Sequence, residues 1–123
     1  KVQEAKKEIS EKIKNLGDIN FFSGEVDLDP RSIKELCFML ADQIENLFIV
    51  LLSNNIEKVF ISCYISKNLV VTKGINASEI IKDLSPLISG SGGGQAFYAT
   101  GGGINSKGIS SVISKSEDIV NQM

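Results

Sequence analysis

Seven of the fourteen residues from Gly90 to Gly103 are glycine, and the run Gly90-Ser91-Gly92-Gly93-Gly94-Gln95 is the one stretch whose composition points to chemistry. Glycine lets a ligand approach the backbone closely. Successive amide N–H groups in such a stretch can converge on one concavity and hold a phosphate. Glycine also costs backbone entropy, so stability alone is a poor reason for a cluster between two regular elements. A flexible linker is the plain alternative. Against it, the segment is short and leads straight into Ala96-Phe97-Tyr98-Ala99. Linkers seldom alternate with core aromatics in this way. The expectation is an ordered loop that faces a ligand.

The common phosphate motifs do not fit this run. There is no G-x-x-x-x-G-K-[ST], since Lys107 is followed by Gly108, and no G-x-G-x-x-G that opens a helix after a strand. Catalytic constellations are also missing. The chain has no histidine, so no Ser-His-Asp or Cys-His arrangement and no histidine metal site can form. Cys37 and Cys63 alone cannot supply four zinc ligands, and they read as small core hydrophobes in a reducing compartment. No carboxylate pair has a clear partner. The fragment is therefore expected to be non-catalytic and free of metal.

The bulk figures describe what must position the glycines. A chain of 123 residues, 42% hydrophobic and 23% charged, suits one domain with one core. No apolar run approaches the roughly 18–20 residues that span a bilayer. The charged, helical N-terminus is unlike a signal peptide. The expected location is the cytoplasm, with no membrane partner. Net charge is −2, spread unevenly: +2 over residues 1–16, −5 over 17–65 and +1 over 66–123. A surface for a polyanion is thus expected on the first helix or the C-terminal half.

The periodicity predicts the elements. Val2, Ala5, Ile9, Ile13 and Leu16 form a narrow apolar stripe of coiled-coil type, which Gly17 should end. So short a helix is marginal alone and needs a partner. Residues 1–17 read as the end of a longer helical linker, with a short helix packed on its own domain as the alternative. A strand over Ile19–Val26 follows. Asp29-Pro30 then caps and starts an amphipathic helix reaching about Asn46. Phe48–Leu52 and Val59–Ile65 read as a hairpin turning at Ser53-Asn54-Asn55. Leu69–Val71 reads as extended. Asn76 and Glu79 open a further helix, which Pro86 should shorten. A short strand over Ala96–Thr100 and a last helix capped at Asn105 or Ser106 complete the chain. The fold class is α+β: a two-layer sandwich in which helices cover a mixed or mainly antiparallel sheet of four to five strands.

The order helix, Gly90-Ser-Gly-Gly-Gly-Gln95-Ala-Phe-Tyr-Ala-Thr-Gly101-Gly102, helix resembles the C-terminal domain of alanyl-tRNA synthetases, within the DHH-associated domain family. The hairpin over residues 48–65, the Lys73-Gly74 turn and the leading helix agree with it. The run departs from the commonest pattern, because Ser91 interrupts the glycines and Gln95 stands where an arginine would be. The resemblance implies a parent alanine–tRNA ligase whose other domains use ATP, magnesium and zinc. It implies a non-catalytic domain over residues 18–123 that contacts the outer corner of tRNA(Ala), aids cooperation between aminoacylation and editing, and does not bind DNA. It further implies that the amides of Gly92, Gly93 and Gly94 meet the RNA backbone, with Gln95 donating a hydrogen bond. Lys73, Lys82 and Lys107 are then phosphate contacts, and Tyr98 or Phe97 stacks on a base. The leading helix is expected to mediate self-association. Two other readings stand beside this one: the substrate-binding domain of a DHH-type phosphoesterase, and a dimerisation scaffold without ligand.

Overall fold

The computed structural model describes all 123 residues, Lys1–Met123. Five helices run α1 (Val2–Lys12), α2 (Pro30–Gln43), α3 (Lys67–Lys73), α4 (Ala77–Leu84) and α5 (Ile109–Asn121). Six strands run β1 (Lys14–Leu16), β2 (Ile19–Glu25), β3 (Leu47–Asn54), β4 (Val59–Ile65), β5 (Ser91–Gly94) and β6 (Tyr98–Gly103). They form one mixed sheet in the order β1-β2-β3-β4-β6-β5. The β2–β3 pair is parallel and every other pair is antiparallel. The parallel pair requires a crossover, and α2 supplies it.

The α+β class and the mixed sheet agree with expectation, with six strands where four to five were foreseen. The layering adds a helical layer to the expected two. Alternating residues of β3 point to opposite faces, and both are buried. Phe48, Val50 and Leu52 pack against α4 and α5, while Leu47, Ile49 and Leu51 pack against Ile33, Leu36, Cys37 and Leu40 of α2. The helices therefore cover both sides.

Caps read from the sequence hold. The Asp29 carboxylate accepts from Ser32 N–H at 2.8 Å. The Asn76 side chain accepts from Ser78 N–H at 2.9 Å and Glu79 N–H at 3.3 Å. Beyond Leu84, α4 tightens into a 3-10 turn over Ser85–Ile88, where Pro86 was expected to shorten it.

Four local readings change. The first helix stops at Lys12, and Lys14–Leu16 instead pairs with β2. Gly17 (φ 70°) serves a hairpin turn with Asp18 rather than a helix stop. The apolar stripe finds its partner within the chain, since Ile9 is 2% exposed and packs with the α2 core residues. Helix α2 ends at Gln43, and Leu47 already belongs to β3. Strand β3 continues to Asn54, so the turn falls on Asn55–Lys58, where Asn55 N–H donates to the Lys58 carbonyl at 2.8 Å. Lys67–Lys73 is helical rather than extended. Burial of Leu69 and a left-handed cap at Gly74 (φ 65°) outweigh the β preference of Val70 and Val71.

Candidate functional site

The glycine run is ordered, but as a strand. Gly92, Gly93 and Gly94 lie in β5, the edge strand, in antiparallel register with Gly101, Thr100 and Ala99 of β6. Gln95 N–H donates to the Tyr98 carbonyl at 2.9 Å, closing the hairpin around Ala96 and Phe97. That bond fixes the alternation of the ladder. Ser91 and Gly93 turn their N–H groups toward β6; Gly92 and Gly94 turn theirs outward. Gly94 N–H meets the Ser78 hydroxyl at 3.3 Å. Of the three amides expected to meet a phosphate, Gly92 alone keeps an outward N–H without a partner in the fold.

Most of these glycines have a steric reason to be glycine. A Cβ on Gly90, Gly92 or Gly103 would collide with the carbonyls of Gly102, Thr100 or Ile88. A Cβ on Gly94 would lie 2.7 Å from the Ala99 Cα, and one on Gly101 would lie 2.6 Å from the Ser85 Oγ. Close approach of β5, β6 and the 3-10 turn therefore needs bare backbone. Packing against neighbouring backbone, and not a ligand alone, thus accounts for most of the run.

Beside the hairpin lies a groove of about 570 Å³. Its floor is Thr100 and the peptides of Gly93 and Gly94; its wall is the first turns of α2, with Arg31, Lys34 and Phe38; Phe60, Phe97 and Tyr98 complete it. Two cations and no carboxylate line it, although the chain as a whole carries −2. Lys34 Nζ stands 5.6 Å from the Tyr98 ring centre, and Lys67 Nζ stands 5.2 Å from that of Phe97. Such cation–π contacts are worth roughly 0.5–1 kcal/mol at exposed sites. Phe38 packs edge-on to Tyr64 (5.5 Å) and tilted to Tyr98 (5.9 Å). The Tyr98 hydroxyl is buried without a hydrogen-bond partner. Burial, with Cys37 nearby, pushes its phenol far above the ordinary range. Tyr98 can thus offer its ring to the groove, while its hydroxyl stays inside.

The groove gathers Gly93, Gly94, Gln95 and Tyr98 from the residues singled out in the sequence, and Gly92 adjoins them on β5. Lys82 reaches the other side of β5, with its Cε 3.7 Å from where a Gly93 Cβ would stand. Lys73 is ion-paired with Asp18 at 3.1 Å, beside the β1–β2 turn and across the sheet from β5. Lys107 is exposed in a 3-10 turn beyond the Gly103 end of β6, away from the hairpin. Arg31, Lys34 and Phe38 went unread. Their spacing of three and four puts them on one exposed face of α2, opposite its buried stripe. They also belong to the most acidic stretch of the chain, where no polyanion surface was expected; charge summed along the sequence concealed a local basic wall.

The other titratable groups do not suggest catalysis. Burial pushes the Cys37 thiol up to about 12 and holds Cys63 well above its ordinary value, so both stay protonated and unreactive. No cluster of three or more Cys, Asp or Glu side chains could hold a metal ion. No helix is long and apolar enough to cross a membrane.

Comparison with known proteins bears on the family and the fold. The DHHA1 domain family matches residues 18–122. The chain is 40% identical over 120 residues to the alanine–tRNA ligase of Christiangramia forsetii, covering 98% of this chain and 14% of that protein. It is 39% identical over 115 residues to that of Cytophaga hutchinsonii, covering 93% of this chain and 13% of that protein. The chain thus spans about one-seventh of the length of these relatives. In three dimensions it is similar to the C-Ala domain of Aquifex aeolicus alanyl-tRNA synthetase, with a TM-score of 0.79 and 24% identity over 89% of this chain and 97% of that one.

Proposed function

The chain belongs to the DHHA1 domain family, and on that premise we propose that it is the non-catalytic C-terminal domain of an alanine–tRNA ligase, which holds tRNA(Ala) at its outer corner through the groove beside α2. The observation that carries this reading is the groove's lining: Arg31 and Lys34 on one wall, aromatic rings on the others, and no carboxylate. Cations meet phosphates and ring faces meet bases, which is the usual division of labour in RNA contacts. Gly92 to Gly94 give an edge of bare peptide, and the Gln95 amide can donate from the hairpin. In this reading ATP, magnesium and zinc serve other domains of the ligase, and the domain's work is to keep one tRNA within reach of the aminoacylation and editing sites.

With so few basic residues, the isolated domain should bind weakly and lose affinity steeply with salt. Fluorescence anisotropy at low salt, comparing tRNA(Ala) with a plain RNA duplex, tests the proposal. Preference for tRNA, reduced by Arg31→Ala and by Lys34→Ala, is the expected result. Equal binding of the two RNAs would remove it.

A further inference from the structure

Two glycines in the run have no packing reason to be glycine. A Cβ on Gly93 would meet nothing nearer than the Ser78 Oγ at 3.6 Å, and one on Gly102 nothing nearer than the Val59 carbonyl at 3.6 Å. Both are ordinary contact distances, and neither residue has a positive φ. The fold does not require bare backbone at either position, and Gly102 is the more informative of the two. Residues alternate across β6. Ala99, Gly101 and Gly103 face α4 and the 3-10 turn, as their neighbours Ile61, Ser85 and Ile88 indicate. Tyr98, Thr100 and Gly102 therefore face the side of α2. On that side α2 lies over β3 and β4, and the sheet runs on beyond it: Thr100 is half-buried and Gly102 is exposed. Gly102 stands in register with Phe60, whose ring lines the groove.

Resting on the RNA reading of the groove, we propose that the uncovered face of β6 carries its floor from Thr100 on to Gly102, and that this floor takes one unpaired RNA base, lying flat over Gly102 and Thr100 beside Phe60. A planar ring can lie against a peptide only where no Cβ intervenes, and Gly102 is that place. A base inside a helix is stacked on both sides and presents only its edge, so a recessed flat floor selects a base turned out of a loop or bulge. The phosphates beside that base then face Arg31 and Lys34 on the α2 wall, which is the only charge lining the groove.

The test uses the whole 123-residue chain. Its affinity for a hairpin RNA with an unpaired loop is compared with that for a blunt duplex of equal length. Gly102→Val, which fills the floor, is set beside Ser111→Val, which adds a similar side chain on the exposed face of α5, away from the groove. The wild type should prefer the loop RNA. Gly102→Val should lose about tenfold in that affinity, the worth of one stacked base, while its circular dichroism is unchanged and Ser111→Val binds as the wild type does. Independently, adding AMP or UMP should shift the amide resonances of Phe60, Thr100 and Gly102 more than those of β1 or α5. If Gly102→Val binds loop RNA like the wild type, or the nucleotides leave these amides unmoved, the base floor is wrong while the RNA groove survives. Equal affinity of the wild type for loop and duplex would likewise remove the floor alone. If the wild type binds neither RNA, the groove reading falls with it.

Discussion

The Ile88 carbonyl and Gly103 meet with no space between them: that oxygen accepts from Ile104 N–H and Asn105 N–H, each at 3.0 Å, and a methyl on Gly103 would collide with it. Gly103→Ala must push the 3-10 turn off β6 or break both bonds. It should destabilise the domain by about 2–3 kcal/mol or more, as overpacking against backbone does. Gly93→Ala has room and should fall within about 1 kcal/mol of the wild type, on the stabilising side if its backbone suits alanine. Urea midpoints of the two variants, at equal m-value, check the contrast.

Arg31 and Lys34 are exposed, so truncating them should leave folding intact. Each that meets a phosphate should lower the log–log slope of RNA affinity against salt by about 0.7–0.9 when lost. Lys107→Ala, away from the groove, should leave the slope unchanged. Titrations across a range of salt concentrations would separate these outcomes.

The pH response has two limbs. The Ser32 N–H holds the Asp29 carboxyl below its usual range, and the Lys73 ammonium does the same for Asp18. Their folded pKa values lie below the unfolded one, near about 3.9. Their stabilising contribution is present above that value and disappears as pH falls through the folded pKa. Asp29→Asn keeps a capping side chain and should flatten this acid limb. The thiols run the other way. With Cys37 raised to about 12 in the fold, stability should hold up to the unfolded thiol value near about 8.5 and decline as pH rises toward the folded one. In mildly alkaline buffer a thiol reagent should label neither cysteine until urea unfolds the chain.

Asn76 accepts from two otherwise open amides at the start of α4, the helix beneath β5. Asn76→Ala should cost about 1 kcal/mol and Asn76→Asp much less, because aspartate caps as well as asparagine. Thermal unfolding gives the comparison directly.

Ile9 is 2% exposed against the α2 core. If α1 is part of this domain's own packing, Ile9→Ala should cost about 2–4 kcal/mol. If residues 1–17 chiefly serve self-association, light scattering should instead show an assembly that the same substitution dissolves.

Among the local signals, the caps and the apolar run were reliable, whereas Leu69–Val71, read as extended, is helical. Asp29-Pro30 opened α2, Asn76 capped α4, and the wholly apolar run at Phe48 belonged to a strand covered on both sides. Signals that depend on a partner element misled. Lys14–Leu16 continues a helical stripe and becomes a strand only because β2 lies alongside. The composition of Ser91–Gly94 says loop, yet pairing with β6 makes the segment a strand, and the reason for most of its glycines is a neighbour's backbone. The groove was half legible. Gln95 and Tyr98 stand beside the glycines in sequence, whereas Arg31 and Lys34 reach them only through the fold.

Strand β3 sits third in the sheet, hydrogen-bonded on both edges and roofed on both faces. No local opening can wet its peptide groups without parting β2, β4 and the helices together. Its deuterium uptake should therefore report the unfolding of the whole domain, while β5, at the rim, exchanges on its own schedule. The slowest-exchanging element should thus lie near the middle of the sheet and the fastest at its rim.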